Sequence, residues 1–540
     1  MQQSNTDIFY KKMILAGFLL LMLIHLLLVF CGFYGGDDIN FARYAADAAN
    51  HGINLTPATD QFQLRWITVY STAVFYKLFG ITAFTSSLSS FLSFIGCGII
   101  LYKILKESNL KVYVLSMTLF FFSQSIIFYS HRLLADPAVC FAALWMYYAY
   151  RCFYLKNQHA FKYALYFSMA LLIAIMAKET VIIIVPLFAL LFIYDIFKKQ
   201  RIAFWKYAAA LSVLFVFLYL LYFKITTGDF LYRYHVLLSK SYFTDCSYDQ
   251  LPAAYTLRRI GYDLWKAMLL NGDLLIYIPA VAALFYRKKI GLIIPDAPAF
   301  FILLLCANFM SISSTHYVPL CYDPRHFIFL IPFAAICGGP MLFAYFKEPK
   351  RFILLPLMML IAAIIIFAVH GGNTKYLYLL FAVLLVVAYV AAFVFKGKSL
   401  LNIFIIEFLL LFSLNYFIGF VKPMYPFYED QKKMIETRFT DKTEHVIIYS
   451  ADEISGELNE FFFKFNTGNI VFKPLDSAKV NAEIPAYLMI NSKLNPALKA
   501  KTDSVLESYL KKQIGLEAQE NDIYLYEVNN DFLQDLIRVR

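Results

Sequence analysis

The chain has 540 residues, of which 61% are hydrophobic, 18% aromatic and only 16% charged, with a mean hydropathy of +0.62. That leaves too little polar surface to coat a water-soluble body of this size, and it excludes collagen-like, coiled-coil, disordered and disulfide-scaffold chains, so a polytopic membrane protein remains. The formal charge of +11 is carried by residues 1–421, with 33 Lys+Arg against 18 Asp+Glu; residues 422–540 hold 15 against 19. The excess therefore belongs to the apolar part and its loops, not to a nucleic-acid-binding patch.

A bilayer span needs about 20 apolar residues. Stretches of that order fall at 13–33, 84–106, 112–130, 134–154, 161–177, 181–197, 203–223, 268–286, 298–314, 326–346, 352–370, 375–395 and 400–421. The first follows Lys11-Lys12, exceeds the length of a signal-peptide core and is not followed by a small-residue cleavage site, which predicts an uncleaved anchor. Basic residues then recur in alternate connections: Lys106 and Lys111; Arg151 and Lys156; Lys198, Lys199 and Arg201; Arg287, Lys288 and Lys289; Lys347, Lys350 and Arg351; Lys396 and Lys398. By the positive-inside rule that face is cytoplasmic, with the N-terminus on it. The expected architecture is an all-α polytopic membrane domain of about 13 transmembrane helices over residues 1–421, followed by a small α/β domain over residues 422–540 on the outer, periplasmic face. Strand-like runs at His445–Ser450, Asn469–Phe472, Ala486–Ile490 and Ile523–Val528, a helical stretch near 500–513 and a linker at Tyr425-Pro426 define that second unit. No internal repeat is visible, which counts against transporters built from paired halves.

Ionisable groups at the outer ends of apolar spans are costly unless solvated or paired, so they are the candidates for function. Gly35-Gly36-Asp37-Asp38 follows the first span; two carboxylates at a membrane surface can supply a general base and a partner for it, or simply start a helix. Next come Arg132 and Asp136-Pro137 between the third and fourth spans. Helix capping accounts for Asp136-Pro137 but not for an arginine on the acidic side, where a planar fork suits a phosphate. Lys178-Glu179 occupies the turn before the sixth span, either as a local ion pair or as a phosphate-neutralising lysine held by a carboxylate. Asp229, Arg233 and His235 are spaced to share a neighbourhood, although a lone histidine is more often structural than a ligand. Asp323-Pro324-Arg325-His326 enters the tenth span, and Arg65 and Lys77 lie in the first long loop.

Nucleotide-binding glycine loops, H-E-x-x-H and C-x-x-C are absent from the sequence, so no nucleotide cofactor is expected. Of eight cysteines only Cys246 and Cys321 fall in outer loops, where a disulfide between them could form.

Taken in order, the acidic pair after the first span, the Arg132…Asp136-Pro137 motif, Lys178-Glu179, Pro324-Arg325-His326 and the C-terminal domain resemble the polytopic glycosyltransferases of the GT-C class. The similarity is to the bacterial branch with protein O-mannosyltransferases and the lipid A aminoarabinose transferase, and it extends over residues 7–346 by motif and over the later spans by hydropathy. The resemblance implies an inner-membrane enzyme that moves a sugar, with inversion, from a polyprenyl-phosphate donor to a periplasmic acceptor: a protein, lipid A or a surface glycan. It places Asp37, Asp38 and Asp136 at the catalytic centre, with Asp37 as base, and Arg65, Arg132, Lys178, Glu179 and Arg325 around the donor phosphate. A divalent cation held near Asp136 and His235 is a further way of stabilising the leaving group. The family's Asp-Glu reads Asp37-Asp38 here, and its Lys-Pro-Pro-Leu reads Phe62-Gln63-Leu64-Arg65, which leaves Arg65 as the substitute phosphate contact. Two other readings share the basic residues: a transporter or flippase for a lipid-linked substrate, and a polysaccharide ligase.

Overall fold

The computed structural model describes residues 5–29, 32–33, 36–53, 55, 60–239, 246–249, 251–313, 316–395, 399–421, 427–440, 444–450, 453–475, 484–492, 498–500, 502, 515–529, 532–533 and 536. Gly35, the Tyr425-Pro426 linker and nearly all of the 500–513 stretch lie outside them. Each of the thirteen apolar stretches contains helix, and among the described residues eight helices are both long and apolar enough to cross a bilayer. Leu110–Phe121, Asp296–Phe309 and Leu354–Ala368 are apolar but shorter.

Where the helices depart from the apolar stretches, local chemistry gives the reason. The stretch at 268–286 divides into Leu264–Leu270 and Leu274–Ile290 because Gly272 turns the chain at φ +81°, a conformation costly for any side chain. Two stretches open on 3₁₀ turns, Glu179–Ile184 and Pro324–Leu330, each running into an α-helix with proline in its first turn. Glu179 and the pair Arg325-His326 are thus presented on 3₁₀ turns at the span ends.

One continuous apolar core joins the helices. Close approach is set by small residues, as expected where lipid supplies no hydrophobic drive for helix association. At Gly339, in helix Ile331–Lys347, an added Cβ would stand 2.8 Å from the backbone nitrogen of Ser116 and closer still to its hydroxyl, so the contact with helix Leu110–Phe121 requires glycine.

The first long loop folds as two helices, Gly36–His51 and Trp66–Phe79. They pack through Ile39, Ala42, Ala45 and Ala46 against Val69, Ala73 and Tyr76. The C-terminal unit has strands β1 (Val446–Ser450), β2 (Ile470–Pro474), β3 (Ala486–Asn491), β4 (Gly515–Glu520) and β5 (Ile523–Val528). Their order is β2-β1-β3-β5-β4, with β1 parallel to β2 and β3 and with β5 antiparallel to β3 and β4. Helix Glu453–Phe462 makes the crossover that parallel β1 and β2 require, while Asn521, at φ +48°, makes the tight β4–β5 turn. The four anticipated strands are present within a residue or two; β4 was not anticipated.

This unit is docked on helix Gly36–His51. Phe461 meets Phe33 edge-on at 4.5 Å, and Arg43 reaches Glu460 at 2.9 Å and Glu457 at 3.7 Å. The helix that carries Asp37 in its first turn is therefore held from both sides.

Candidate active site at the acidic helix ends

The ionisable residues singled out above belong to segments far apart in sequence, and most converge at one end of the bundle. Asp37 stands in the first turn of helix Gly36–His51, where the helix dipole favours a carboxylate. Its Oδ2 is 2.6 Å from Nη1 of Arg325. The Nε of Arg325 lies 3.1 Å from Asp323, which also caps its own 3₁₀ turn through the Arg325 amide at 3.0 Å. Asp323 in turn accepts a 2.7 Å hydrogen bond from the Tyr129 hydroxyl.

One residue further on, His326 enters a second cluster. Lys178 Nζ donates to both oxygens of Asp136, at 2.8 and 3.1 Å, and His326 Nδ1 lies 3.2 Å from Asp136 and 3.3 Å from Lys178. Burial pushes the Lys178 ammonium down from its ordinary value, opposed by the attraction of Asp136. Glu179 leads into a third cluster, 2.6 Å from Arg65 and 3.9 Å from Arg233. Arg65 lies over the rings of Phe62 at 4.9 Å and Phe41 at 5.7 Å. Its loop is braced by Asp60, which accepts from the amides of Phe62 and Gln63 and from the Tyr44 hydroxyl. Burial and that bond push the Tyr44 hydroxyl upward, so it stays a donor.

Together these clusters set Asp37, Asp323, Asp136 and Glu179 against Arg325, Lys178, Arg65 and Arg233, four carboxylates and four cations. Accessibility separates the carboxylates. The Asp37 side chain is 35% exposed, whereas those of Asp136 and Glu179 are 7% and 13% exposed and are committed to their cations. Asp37 is the carboxylate best placed to meet a ligand.

The remaining anticipated residues are placed elsewhere. Asp38 is buried and acts electrostatically on Tyr76 and Tyr428, on the side facing the C-terminal unit. Successive helical residues point about 100° apart, so Asp37 and Asp38 do not share a face. Arg132 is fully buried over the Phe128 ring, 4.9 Å from its centroid, and its Nη1 donates to the Gly32 carbonyl, so it fastens the segment leading to Asp37. His235 pairs with Asp229 at 2.6 Å on the surface, while Arg233, expected beside them, turns inward to Tyr219 and Glu179. Asp136 and His235 thus sit in separate clusters, and the Asp136 oxygens face an ammonium and an imidazole. That donor set does not fit a divalent cation, and the described residues include no group of three or more His, Cys, Asp or Glu side chains that could hold one.

Asp323 was visible in the sequence as part of the Asp-Pro-Arg-His motif, whereas Tyr129, which donates to it, gave no signal. Cys246 and Cys321 form a disulfide, which ties the 316–323 segment, and with it Asp323 and Arg325, to the preceding loop.

This arrangement, with charged segments at one end of an apolar bundle and a small α/β unit over them, is a fold shared with a solved membrane-protein structure. Among solved structures it is similar to ArnT from Cupriavidus metallidurans in the apo state, with a TM-score of 0.54 and 14% identity over 97% of this chain and 98% of that one. The same protein bound to undecaprenyl phosphate gives a TM-score of 0.54, 13% identity and the same coverage. The archaeal oligosaccharyltransferase AglB from Archaeoglobus fulgidus, in complex with an inhibitory peptide and a dolichol-phosphate, reaches a TM-score of 0.45 at 11% identity, over 91% of this chain and 70% of that one. No family model matches the sequence, and no curated protein matches it.

Proposed function

We propose that this chain is a membrane glycosyltransferase that transfers a sugar from a polyprenyl-phosphate carrier to an acceptor hydroxyl, with the reaction at the periplasmic face of a bacterial inner membrane. The observation that carries the reading is an accessible carboxylate, Asp37, held by an arginine at the end of an apolar bundle beside further buried cations. A fold shared with a protein whose solved complex contains undecaprenyl phosphate supports the choice of donor.

The chemistry follows from the charges. In the free protein the four carboxylates balance the four cations, so an incoming phosphate must compete for one of them. Arg325 is the exchangeable one, because Asp37 is solvated enough to give it up and Asp323 continues to orient it. The donor phosphate then takes Arg325, and Asp37 is released as a base. Asp37 removes the proton of the acceptor hydroxyl as its oxygen bonds to the anomeric carbon. The bond from that carbon to the phosphate oxygen breaks, and polyprenyl phosphate leaves with the charge. Arg325 and Lys178, with Arg65 behind them, stabilise the growing phosphate charge. A single displacement inverts the anomeric centre. Arg132 and Asp38 hold the loop and helix that aim Asp37 and do not contact the substrate.

Mass spectrometry of surface glycans, lipid A and glycoproteins from a deletion strain, compared with its parent, tests the reading and names sugar and acceptor together. The expected result is one glycan shortened by one sugar. Unchanged products in all three classes, with no donor turnover by the purified protein, would overturn it.

A further inference from the structure

At the opposite end of the bundle a cavity of about 970 Å³ opens among helices Leu110–Phe121, Ile331–Lys347, Thr374–Val394 and Ser399–Val421. Its rim is cationic, with Lys111, Lys347, Lys350 and Arg351. The acid among its lining residues, Glu348, is engaged by Arg351 at 2.7 Å. Lys350 sits over the Phe393 ring at 3.8 Å, and Lys111 donates to Asn402 at 2.6 Å, closing the rim between two helices. Below the rim the walls are apolar, formed by Phe346, Ala388, Leu401 and Phe404. A second cavity of about 270 Å³ shares Lys347, Glu348 and Arg351 with the first and adds Lys289.

Topology explains why the connections at 109–111 and 347–351 are basic, but not why the two bring their cations to one void with an apolar floor. A small soluble anion has no use for that floor, and a neutral lipid has no use for that rim. We propose that the cavity binds an anionic glycerophospholipid of the adjacent leaflet. Its phosphate would lie on Lys347, Lys350 and Lys111, and its acyl chains along Phe346, Leu401 and Phe404. So placed, the lipid fastens the late helices Thr374–Val394 and Ser399–Val421 to the core. This site is independent of the glycosyl-transfer reading and stands or falls separately from it.

The test uses the delipidated full-length protein in neutral detergent, with phosphatidylglycerol as probe and native mass spectrometry as readout. Phosphatidylglycerol should stay bound under activation that strips phosphatidylcholine, and inorganic phosphate should not displace it. The variant K347Q/K350Q, which removes two of the three phosphate contacts, should weaken retention by about tenfold or more. K347R/K350R should retain the lipid, and K198Q/K199Q, which removes cations outside the cavity, should behave as the parent. Equal retention of phosphatidylcholine, displacement by inorganic phosphate, unchanged retention in the glutamine variant, or an equal loss in K198Q/K199Q would each overturn the proposal. The arginine variant separates a lost charge from a lost fold: if it too fails to bind while unfolding at the parental temperature, the phosphate assignment is wrong.

Discussion

Asp37→Asn changes the charge of one side chain and almost nothing of its shape, so its effects on folding and on catalysis can be calculated separately. The Asp37–Arg325 pair is close, at 2.6 Å, but its two side chains are 35% and 17% exposed, and Arg325 keeps Asp323 at 3.1 Å when Asp37 is neutralised. Loss of a pair so solvated costs about 1 kcal/mol of stability or less. Loss of a general base costs about 10²- to 10⁴-fold in rate, or roughly 3–5 kcal/mol in the barrier. The two magnitudes are far enough apart to be told apart in one preparation. The assay is transfer from a labelled polyprenyl-phosphate sugar by purified protein, with donor binding and thermal unfolding measured alongside. The expected outcome is near-parental unfolding, donor binding equal to the parent or tighter because Arg325 is released, and a fall in transfer rate of at least about a hundredfold. Undiminished transfer by a correctly inserted variant would refute the role of Asp37. Weakened donor binding would refute the exchange of Arg325 between Asp37 and phosphate.

Lys178→Met leaves the buried Asp136 carboxylate with His326 alone and should destabilise the protein by about 3–5 kcal/mol, read as a lowered unfolding temperature. Adding Asp136→Asn to Lys178→Met should recover most of that stability but no transfer activity. Replacing Cys246 and Cys321 by serine releases a closure spanning 75 residues and should cost about 2–4 kcal/mol by unfolding, with a larger fall in activity than in donor binding because Asp323 and Arg325 lose their anchor. Phe461→Ala should cost about 3–5 kcal/mol in the docking of the C-terminal unit, whereas Arg43→Ala, at an exposed pair, should cost about 1 kcal/mol or less, a contrast that limited proteolysis of that unit can read.

The sequence was most legible where local composition decides structure. The apolar stretches recur as helices, since a backbone in lipid must satisfy its own hydrogen bonds, and a run of Leu, Phe and Ile declares that at once. Four strands of the C-terminal sheet were readable from their β-branched and aromatic runs, whereas β4, Gly515–Glu520, was not, because Gly-Leu-Glu-Ala-Gln-Glu has little strand character and owes its place to pairing with β5. Among the candidate site residues, Lys178, Glu179, Asp136, Arg65, Arg325 and Asp37 were recognisable as charges on the expensive side of a membrane. Asp38, Arg132 and His235 carried the same signal and turn out to be placed differently: inside a docking surface, beneath a loop and on the exterior.

What the sequence determined by itself is therefore the apolar or polar character of each segment. Hydropathy marks which stretches are apolar enough to lie in a bilayer, because it depends on one stretch of chain at a time. Only the tertiary structure decided which charges meet. Arg325 finds Asp37, Arg65 finds Glu179 and Lys178 finds Asp136 through separations of 288, 114 and 42 residues in a chain of 540. No local propensity encodes such pairs. They follow from helix packing, from glycine contacts such as Gly339 against Ser116, and from a disulfide and a docked domain that hold two loops at one end of the bundle. Within that arrangement, burial commits Asp136 to Lys178 and leaves Asp37 within reach of water and ligand.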